Sequence, residues 1–380
     1  MRPTGKLHLG NYMGALANWV KLQDDYECYF FIADLHALTT DYADPSKIAP
    51  NTLEVALDFL AAGLDPKKCT IFVQSHVKQH YELPLFLGMI TPLGWLERVP
   101  SYKEMQENLA GKDLTTYGFL GYPVLMASDI LLYQADFVPV GQDQQAHVEL
   151  TREIARRFNF LYPKDPRVRS APIKRYTGED IRNLGMEEEF KRRHPNADPS
   201  MGQNYREGIS EEVLWSAESI VLPEPQVLLT PSPKLPGTDG RKMSKSYGNM
   251  ILMTDPKPVV RQKLKTMVTD PARIRRTDPG DPDKCPVGDL HKVFSTPDTL
   301  AKVYEGCRSA GIGCIECKGW AADALMRVLE PIQIRRAGFS ESQVDEILED
   351  GSNRARARAE QTMQQVRAAM QMTRAGETSL

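Results

Sequence analysis

Residues 26–34 read YECYFFIAD, and residues 69–75 read CTIFVQS. Both stretches are short, apolar and rich in aromatic and β-branched side chains, a composition typical of buried parallel strands. Between them, residues 46–63 have helical spacing and end at Gly63, and residues 143–158 form a second amphipathic helical pattern. Because strands and helices alternate, the sequence predicts an α/β fold with a Rossmann-type, doubly wound parallel sheet.

The pattern changes after this first region. Prolines become frequent, and one helical segment, ISEEVLWSAESI, stands at 209–220. Towards the end of the chain, two separate helical patterns occur at 341–350 and 353–372. We therefore predict four parts: a catalytic domain at 1–159, an insertion of unknown role at 160–234, a return to the catalytic domain at 235–256, and a helical domain at 257–380.

Composition excludes some function classes. Of 380 residues, 41% are hydrophobic, and no apolar run approaches the roughly 20 residues that a membrane span needs. The first residues, MRPTGKLHLGNYMG, lack the regions of a secretory signal, so we expect a cytoplasmic protein with reduced thiols. The net charge of −3 does not indicate a nucleic-acid partner, so any RNA surface must come from local clusters of basic residues.

The first candidate nucleotide site is TGKLHLGNY at residues 4–12, which precedes an apolar helical pattern. A helix start offers N–H groups to phosphate, and His8 and Asn11 can donate hydrogen bonds to phosphate oxygens. Taken alone, however, a glycine-containing turn before a helix is more often a simple structural turn.

The second candidate is GRKMSKS at residues 240–246, on a loop flanked by glycines and Pro236. Lys242 and Lys245 would form a mobile cationic clamp, which is useful when the charge of a triphosphate shifts towards pyrophosphate. The alternative is an ordinary solvated basic loop.

HLGN and KMSKS together resemble the paired motifs of class I aminoacyl-tRNA synthetases. Three further stretches, DLHALT at 34–39, YPVLMASDILLY at 122–133 and VPVGQDQ at 138–144, resemble tryptophanyl-tRNA synthetases. The resemblance implies a tryptophan-tRNA ligase that uses Mg-ATP to convert L-tryptophan to its adenylate and then charges tRNA(Trp). It also implies a homodimer and an anticodon-binding role for the helical domain.

The resemblance implies roles for individual residues as well. His8 and Asn11 would contact the ATP phosphates, and Lys242 and Lys245 would hold the departing pyrophosphate. Gly10 would admit the adenosine. The whole set implied to bind ATP is Arg2, Pro3, Thr4, Gly10, Asn11, Gly141, Gln142, Asp143, Lys242, Met243, Ser244, Lys245 and Ser246.

The choice of amino acid depends on Asp129. Indole offers only an N–H donor, and a charged acceptor contributes roughly 1.5–3 kcal/mol to such a bond. Asp129 matches the aspartate that binds indole in the family, Met126 would pack on the ring, and Tyr122 and Gln144 would bind the ammonium group. His36 would line the same pocket.

Three alternatives stay open at this point. Asp129 could be a helix N-cap ahead of Ile130. The chain could be a tyrosyl-tRNA synthetase, which shares most of these motifs, or a paralogue that binds tryptophan or RNA without ligating them. Adenylate formation separates a ligase from such a paralogue.

Four of the six cysteines lie within one short stretch, as Cys285-x21-Cys307-x6-Cys314-x2-Cys317. Four thiolates suit a [4Fe-4S] cluster or a zinc ion, and this spacing does not choose between them. Unmetallated core thiols are the third possibility. A subset of tryptophanyl-tRNA synthetases has an iron-sulfur cluster with nearly this arrangement, so the resemblance favours [4Fe-4S].

Two further expectations concern the first residues of the chain and the residues that would contact tRNA. HLGN begins only seven residues after the first position, so the strand that should feed a Rossmann phosphate loop is missing, and we expect a start further upstream. Candidate tRNA contacts are Lys318 and the arginines of 273–276 and 354–358.

Overall fold

The computed structural model describes residues 1–99, 116–183, 188, 203–229 and 235–372. Within these residues the strands form three two-stranded sheets, β1 with β2, β3 with β6, and β4 with β5. The strands are β1 Cys28–Ile32, β2 Cys69–Val73, β3 Phe137–Val140, β4 Ile173–Tyr176, β5 Gln203–Arg206 and β6 Gln226–Leu229.

The helices are numbered in chain order. Those of the first half are α1 Leu9–Asn11, α2 Ala17–Leu22, α3 Asp34–Asp41, α4 Ile48–Ala62, α5 Gln79–Ile90, α6 Leu93–Glu97, α7 Tyr117–Leu120, α8 Tyr122–Leu131, α9 Gln145–Leu161, α10 Pro166–Ser170 and α11 Gly178–Asn183. Those of the second half are α12 Glu211–Leu214, α13 Lys257–Thr266, α14 Pro286–Phe294, α15 Pro297–Arg308, α16 Cys314–Ala337 and α17 Glu341–Ala369. A π-helical turn, Tyr12–Leu16, joins α1 to α2.

The centre of the fold confirms the predicted α/β class with parallel strands. β1 and β2 pair in parallel, with Phe30 opposite Ile71, and every residue of β2 is buried. The connecting helix α4 ends at Gly63, whose φ of +115° is a left-handed conformation that favours glycine. The Met1 backbone also pairs with β1, because its amino group donates to the Phe31 carbonyl at 2.6 Å.

The predicted insertion contributes to both a hairpin and the parallel strands. β4 and β5 form an antiparallel pair, whereas β6 returns to lie parallel to β3. The predicted helix at 209–220 is shorter than expected, since only α12 forms there. Parts of the insertion, 184–187, 189–202 and 230–234, lie outside the described residues, and the domain boundaries stay a prediction.

The C-terminal part is helical, as predicted, and the two helical patterns at 341–350 and 353–372 belong to one helix. α17 continues through Gly351 as one helix. A β-carbon on Gly351 would lie 1.8 Å from the Ile71 carbonyl oxygen, so glycine here allows α17 to pack directly on β2. Within the described part of the chain, no helix is both long enough and apolar enough to cross a membrane.

Two of the arginines considered for tRNA contact hold α17 against the catalytic part. Arg354 donates to the Pro66 carbonyl at 2.9 Å, and Arg356 donates to the His76 carbonyl at 3.0 Å. These contacts give both guanidinium groups a structural role, and their predicted contact with tRNA stays a prediction.

Candidate active site

The predicted site residues gather where parallel strands end. Asp34 follows β1 closely, and its Oδ1 accepts a hydrogen bond from the Ser75 backbone N–H, just beyond β2, at 3.0 Å. The segment Gln142–Gln144 follows β3 and leads into α9. In open α/β sheets, ligands bind at the carboxyl ends of the strands.

Three of the residues predicted to bind tryptophan share one face of α8. Tyr122, Met126 and Asp129 are spaced four and three residues apart, so their side chains stack along the helix. Asp129 lies inside α8, in its last turns, rather than before its first residue. The N-cap interpretation of Asp129 is therefore wrong.

Asp129 is a buried carboxylate with three hydrogen-bond donors. Its side chain is 5% exposed. Oδ1 accepts from Gln74 Nε2 and from His80 Nδ1, both at 2.7 Å. Oδ2 lies 2.9 Å from His36 Nε2. Burial alone would raise the pKa of Asp129, but the hydrogen bonds from His36 and His80 outweigh it and lower the pKa to about 2.

The ionised carboxylate fixes the tautomers around it. A carboxylate only accepts, so His36 must carry its proton on Nε2 and His80 on Nδ1. The other nitrogen of His80, Nε2, lies 2.8 Å from the Tyr133 hydroxyl. Burial raises the pKa of Tyr133, so this hydroxyl stays protonated. Asp129 is thus held by a polar chain that runs into the core.

The remaining pocket residues lie near this network. The Tyr122 hydroxyl is 2.7 Å from His147 Nε2, and the rings of His36 and Tyr122 meet edge to face at 6.4 Å. Gln144 Nε2 donates to Asp143 Oδ2 at 3.0 Å. Gly141 lies so close to Asp143 that a β-carbon would be 2.8 Å from Oδ1. The structure therefore brings Gly141, Asp143 and Gln144 together at one end of α9.

HLGN forms the start of a helix, as the nucleotide-site hypothesis requires. His8 is the N-cap of α1, and it forms a capping box with Asn11: His8 Nδ1 accepts from the Asn11 N–H at 3.3 Å, and Asn11 Oδ1 accepts from the His8 N–H at 3.1 Å. A β-carbon on Gly10 would lie 2.9 Å from two atoms of the His8 ring. Glycine at position 10 thus makes room for His8.

The protonation state of His8 follows from these contacts. Burial lowers its pKa to about 4, with a smaller contribution from the charge of Lys245, so the ring is neutral at pH 7. Because Nδ1 accepts a hydrogen bond, the proton of the neutral ring is on Nε2. His8 is therefore a neutral donor at a helix start, where a phosphate binds readily.

The KMSKS loop lies against HLGN. Lys245 Nζ donates to the Gly5 carbonyl at 2.7 Å and to Thr4 Oγ1 at 3.3 Å. Burial lowers the pKa of Lys245 to about 8, partly offset by the charge of Asp58. The structure thus joins residues about 240 positions apart in the chain, and the Lys245 cation is held by neutral oxygen atoms.

Asn249 organises the rest of this loop. It accepts from the Ser244 N–H at 2.9 Å and donates to Asp239 and to the Lys242 carbonyl at 2.6 and 3.2 Å. The Lys242 side chain is exposed, whereas Met243 is buried at 4%. Ser246 lies in the short helix Lys245–Tyr247. One asparagine thus holds three points of the loop in this structure, and the mobile clamp stays a prediction.

The other residues predicted to bind ATP lie mostly on the surface. Arg2 and Thr4 are exposed and Pro3 is buried at the same edge, beside the Lys245 contact. Gln142 is exposed on the segment after β3. Their predicted contact with ATP stays a prediction.

Sequence reasoning missed Gln74, His80 and Tyr133. Gln74 was visible as a polar residue immediately after a buried strand, a position that often carries function. His80 and Tyr133 gave no such signal, because His80 lies among other polar residues, such as Lys78 and Glu82, and Tyr133 directly follows an apolar run. Only the fold brings them beside Asp129.

The four predicted metal-binding cysteines come from three neighbouring segments. Cys285 is the N-cap of α14, Cys307 lies in the last turn of α15, and Cys314 and Cys317 lie in the first turn of α16. Burial raises the pKa of Cys317 to about 12, and the other three thiols add to the shift. The four thiols are therefore close enough to interact electrostatically.

These thiols are not arranged as a metal site in the structure. Over the residues described, no group of three or more His, Cys, Asp or Glu side chains is placed to hold a metal ion, and all six cysteines are free. Arg273 Nη1 lies 3.7 Å from Cys307 Sγ, and His291 Nε2 lies 3.4 Å from Cys317 Sγ.

Comparisons with known proteins agree with these motifs. The chain matches the family model of class I tRNA synthetases (W and Y) over residues 1–177 and 201–330. It is 50% identical to the tryptophan–tRNA ligase of Ralstonia nicotianae, over 98% of this chain and 97% of the relative. It is 45% identical to the tryptophan–tRNA ligase of Thermotoga maritima, over 98% of each. The solved structure of Campylobacter jejuni tryptophanyl-tRNA synthetase, complexed with ADP and tryptophan, is similar with a TM-score of 0.75 and 28% identity over 98% of each chain.

Proposed function

The chain belongs to the class I tRNA synthetases for tryptophan and tyrosine and is a tryptophan–tRNA ligase, and from that premise we propose that Asp129 selects the amino acid while HLGN and KMSKS hold Mg-ATP. The reaction activates L-tryptophan to its adenylate with release of pyrophosphate, and the tryptophan then passes to the 3′ end of tRNA(Trp). The assignment of these steps to residues is the proposal.

The observation that carries the proposal is the acceptor capacity of Asp129. Each carboxylate oxygen has about two lone-pair sites. Counting contacts among the described residues, Oδ1 accepts two hydrogen bonds and Oδ2 accepts one. One acceptor site on Oδ2 is left for a substrate donor, and an indole N–H fits it. A buried acceptor that always carries charge rejects a ligand without a matching donor.

The rest of the amino-acid pocket would act on the other parts of the substrate. Met126 is half-buried on the same face of α8 as Asp129 and would pack on the indole ring. Tyr122 and Gln144 would bind the ammonium group, and His36 would close the pocket beside Asp129. A phenol O–H can also donate to this carboxylate, so discrimination against tyrosine would depend on the position of the donor, which differs between the indole and phenol rings.

At the phosphate end, catalysis needs donors and cations rather than a nucleophile. The amino-acid carboxylate is itself the nucleophile, and the enzyme must position it and stabilise charge on the transferring phosphoryl group. We assign the Nε2–H of His8, the start of α1 and the Asn11 side chain to the phosphates. Lys242 and Lys245 would follow the charge onto pyrophosphate, and Gly141, Gln142 and Asp143 would hold the ribose.

The four cysteines would hold a [4Fe-4S] cluster. Four thiols on three segments supply the required ligand set. Glycine at 280 keeps the space beside Cys307 clear, because a β-carbon there would lie 2.8 Å from its sulfur. Such a group would brace the helices of the C-terminal region, to which we assign binding of the tRNA anticodon.

Metal analysis tests this assignment. Anaerobically purified protein should contain about four irons and four sulfides per chain, and Cys314→Ser should lose them, whereas the control Cys28→Ser should keep them. One zinc per chain, or no metal at all, would contradict the cluster.

We further propose a homodimer in the cytoplasm. An exposed apolar surface lies on α5, α6 and α7, where Tyr81, Leu85, Met89, Leu93 and Tyr117 are 52 to 77% exposed. A large apolar patch of this kind is typical of a protein interface. Met89→Asp should convert dimer to monomer in sedimentation equilibrium. The free cysteines agree with a reduced compartment.

The experiment that tests the site assignment is ATP–pyrophosphate exchange by the full-length protein, with tryptophan and tyrosine compared side by side. We expect exchange with tryptophan only, and Asp129→Asn should reduce it selectively. Equal exchange with both amino acids would contradict the role of Asp129.

A further inference from the structure

A buried polar cluster lies beneath HLGN, outside the groups assigned to substrates. Asp58 on α4 is fully buried, with an exposure of 0%. Its Oδ2 accepts the Leu7 backbone N–H at 2.8 Å, and its Oδ1 forms an ion pair with Arg336 near the end of α16. One carboxylate thus connects the residue before His8 to a helix more than 270 positions later in the chain.

A second carboxylate repeats this connection. Arg336 Nη2 lies 2.5 Å from Glu54 Oε2, one helical turn before Asp58, and Glu54 Oε2 lies 3.8 Å from Lys6 Nζ. The guanidinium therefore bridges two carboxylates that both face the loop. The planar guanidinium can donate to both carboxylates at once through its two terminal nitrogens, whereas a lysine has a single nitrogen.

The cluster fixes one side of the loop backbone, and the KMSKS side fixes the other. The Leu7 carbonyl accepts from the Met253 N–H at 2.9 Å, while the Leu7 N–H is held by Asp58. His8, the next residue, caps α1. A shift of Leu7 would therefore move both the His8 ring and the helix start.

Burying an ion pair is costly, so its presence calls for a reason. Burial raises the pKa of Asp58 to about 6, although Arg336 and the Leu7 N–H act to lower it. A hydrophobic contact between α4 and α16 would dock the two helices equally well, but it would leave the Leu7 N–H without this acceptor.

We propose that Arg336 and Asp58 are positioning residues for ATP: they hold the Leu7 backbone so that His8 and the start of α1 meet the phosphates. The proposal rests on the placement of the phosphates given above. It makes the end of α16, in the C-terminal region, part of the support of the nucleotide site.

Arg335 supplies a matched control. It is adjacent in the same helix and also binds α4, because its Nε donates to the Ala61 carbonyl at 2.7 Å. Its contact is with the far end of α4 rather than with a loop-facing carboxylate. Loss of Arg335 should weaken helix docking without moving Leu7.

The test compares Arg336→Met, Arg336→Lys and Arg335→Met in the full-length protein by pyrophosphate exchange and thermal melting. We expect Arg336→Met to lower kcat/KM for ATP about tenfold while the KM for tryptophan stays within about twofold, because the loss lies in ATP positioning. Arg336→Lys should recover part of the loss. Arg335→Met should lower Tm but keep the ATP kinetics of the unmodified protein.

The proposal would be overturned if Arg336→Met and Arg335→Met had the same kcat/KM for ATP and similar Tm values. If Arg336→Met does not fold, Arg336→Gln decides, because it removes the charge that pairs with Asp58 and Glu54 but keeps Asp58, whose charge also acts on Lys245. Unchanged ATP kinetics in that variant would also overturn it. If His8→Ala exchanges pyrophosphate as fast as the unmodified protein, the placement of the phosphates itself would be contradicted.

Discussion

The two ends of the active site treat charge in opposite ways. At the amino-acid end, the Asp129 carboxylate has three donors, from Gln74, His80 and His36, before any substrate arrives. At the phosphate end, the contacts of the Lys245 ammonium among the described residues are a carbonyl and a hydroxyl oxygen, and the Asp58 carboxylate acts on it only through its charge. The protein thus binds the Asp129 charge directly, whereas in the proposed function the Lys245 charge is left for the substrate phosphates.

This difference reflects burial and purpose. A carboxylate that is 5% exposed needs hydrogen bonds to stay ionised, and the role proposed for Asp129 also requires these bonds to fix its position. Lys245 is half-buried and keeps its charge available for a group whose own charge changes during the reaction. We therefore expect selectivity for the amino acid to depend on the hydrogen-bond network around Asp129. The rate of adenylate formation should depend on individual cations such as Lys245.

The largest expected effect is at the phosphate end. Lys245→Met should lower kcat/KM for ATP about 100- to 1,000-fold, since it removes a cation that acts on the transition state. The control Lys257→Met removes a lysine that pairs with Asp323 at 3.3 Å outside the loop, and it should leave exchange unchanged. Comparable losses in both variants would contradict a specific role for Lys245.

At the amino-acid end, Asp129→Asn should lower kcat/KM for tryptophan roughly 10- to 100-fold, because a hydrogen bond to a charged acceptor contributes about 1.5–3 kcal/mol. The KM for ATP should not change. Ser128→Ala is the control: its hydroxyl is buried in the same helix but donates only to the Val124 carbonyl. An equal effect on ATP and tryptophan would show general damage rather than lost selectivity.

Local patterns predicted much of this architecture. The apolar stretches at 26–34 and 69–75 contain β1 and β2, and the helix predicted at 46–63 is α4, with Gly63 at its end. The four- and three-residue spacing of Tyr122, Met126 and Asp129 was also present in the sequence, although no helix was predicted over them. These features depend on neighbouring residues, which the sequence shows directly.

Features that depend on distant contacts were missed. The two patterns at 341–350 and 353–372 did not show that they form one helix, and the role of Gly351 between them, close packing on β2, depends on residue 71. Asp58 lies within an apolar helical stretch and His80 among other polar residues, and neither setting gives a hint of the partner. The partners of these residues are set by tertiary packing, which a local sequence pattern does not show.

The difference between the two ends also predicts that kcat/KM for ATP, and not the KM for tryptophan, depends on the protonation of Lys245. The pKa of Lys245 is lowered from its ordinary value to about 8, so its cation is lost as the pH rises through 8. The value of kcat/KM for ATP should fall about tenfold per pH unit above that point, as this quantity follows the free enzyme. Lys245→Arg should abolish the fall, and an unchanged profile in this variant would assign the titration elsewhere.

The smallest expected effect tests whether the network around Asp129 extends beyond its direct donors. Tyr133→Phe removes only the hydroxyl that is hydrogen-bonded to His80 Nε2, and the ring keeps its stacking on Tyr29 at 4.6 Å. Without this partner, His80 is less firmly held as an Nδ1–H donor to Asp129, and the KM for tryptophan should rise about fivefold, the equivalent of about 1 kcal/mol. Tyr29→Phe, which loses a hydroxyl bound to Glu27, should leave that KM unchanged. If both variants match the unmodified protein, selectivity depends on the direct donors to Asp129 alone, and the contrast between the two ends of the site is correspondingly smaller.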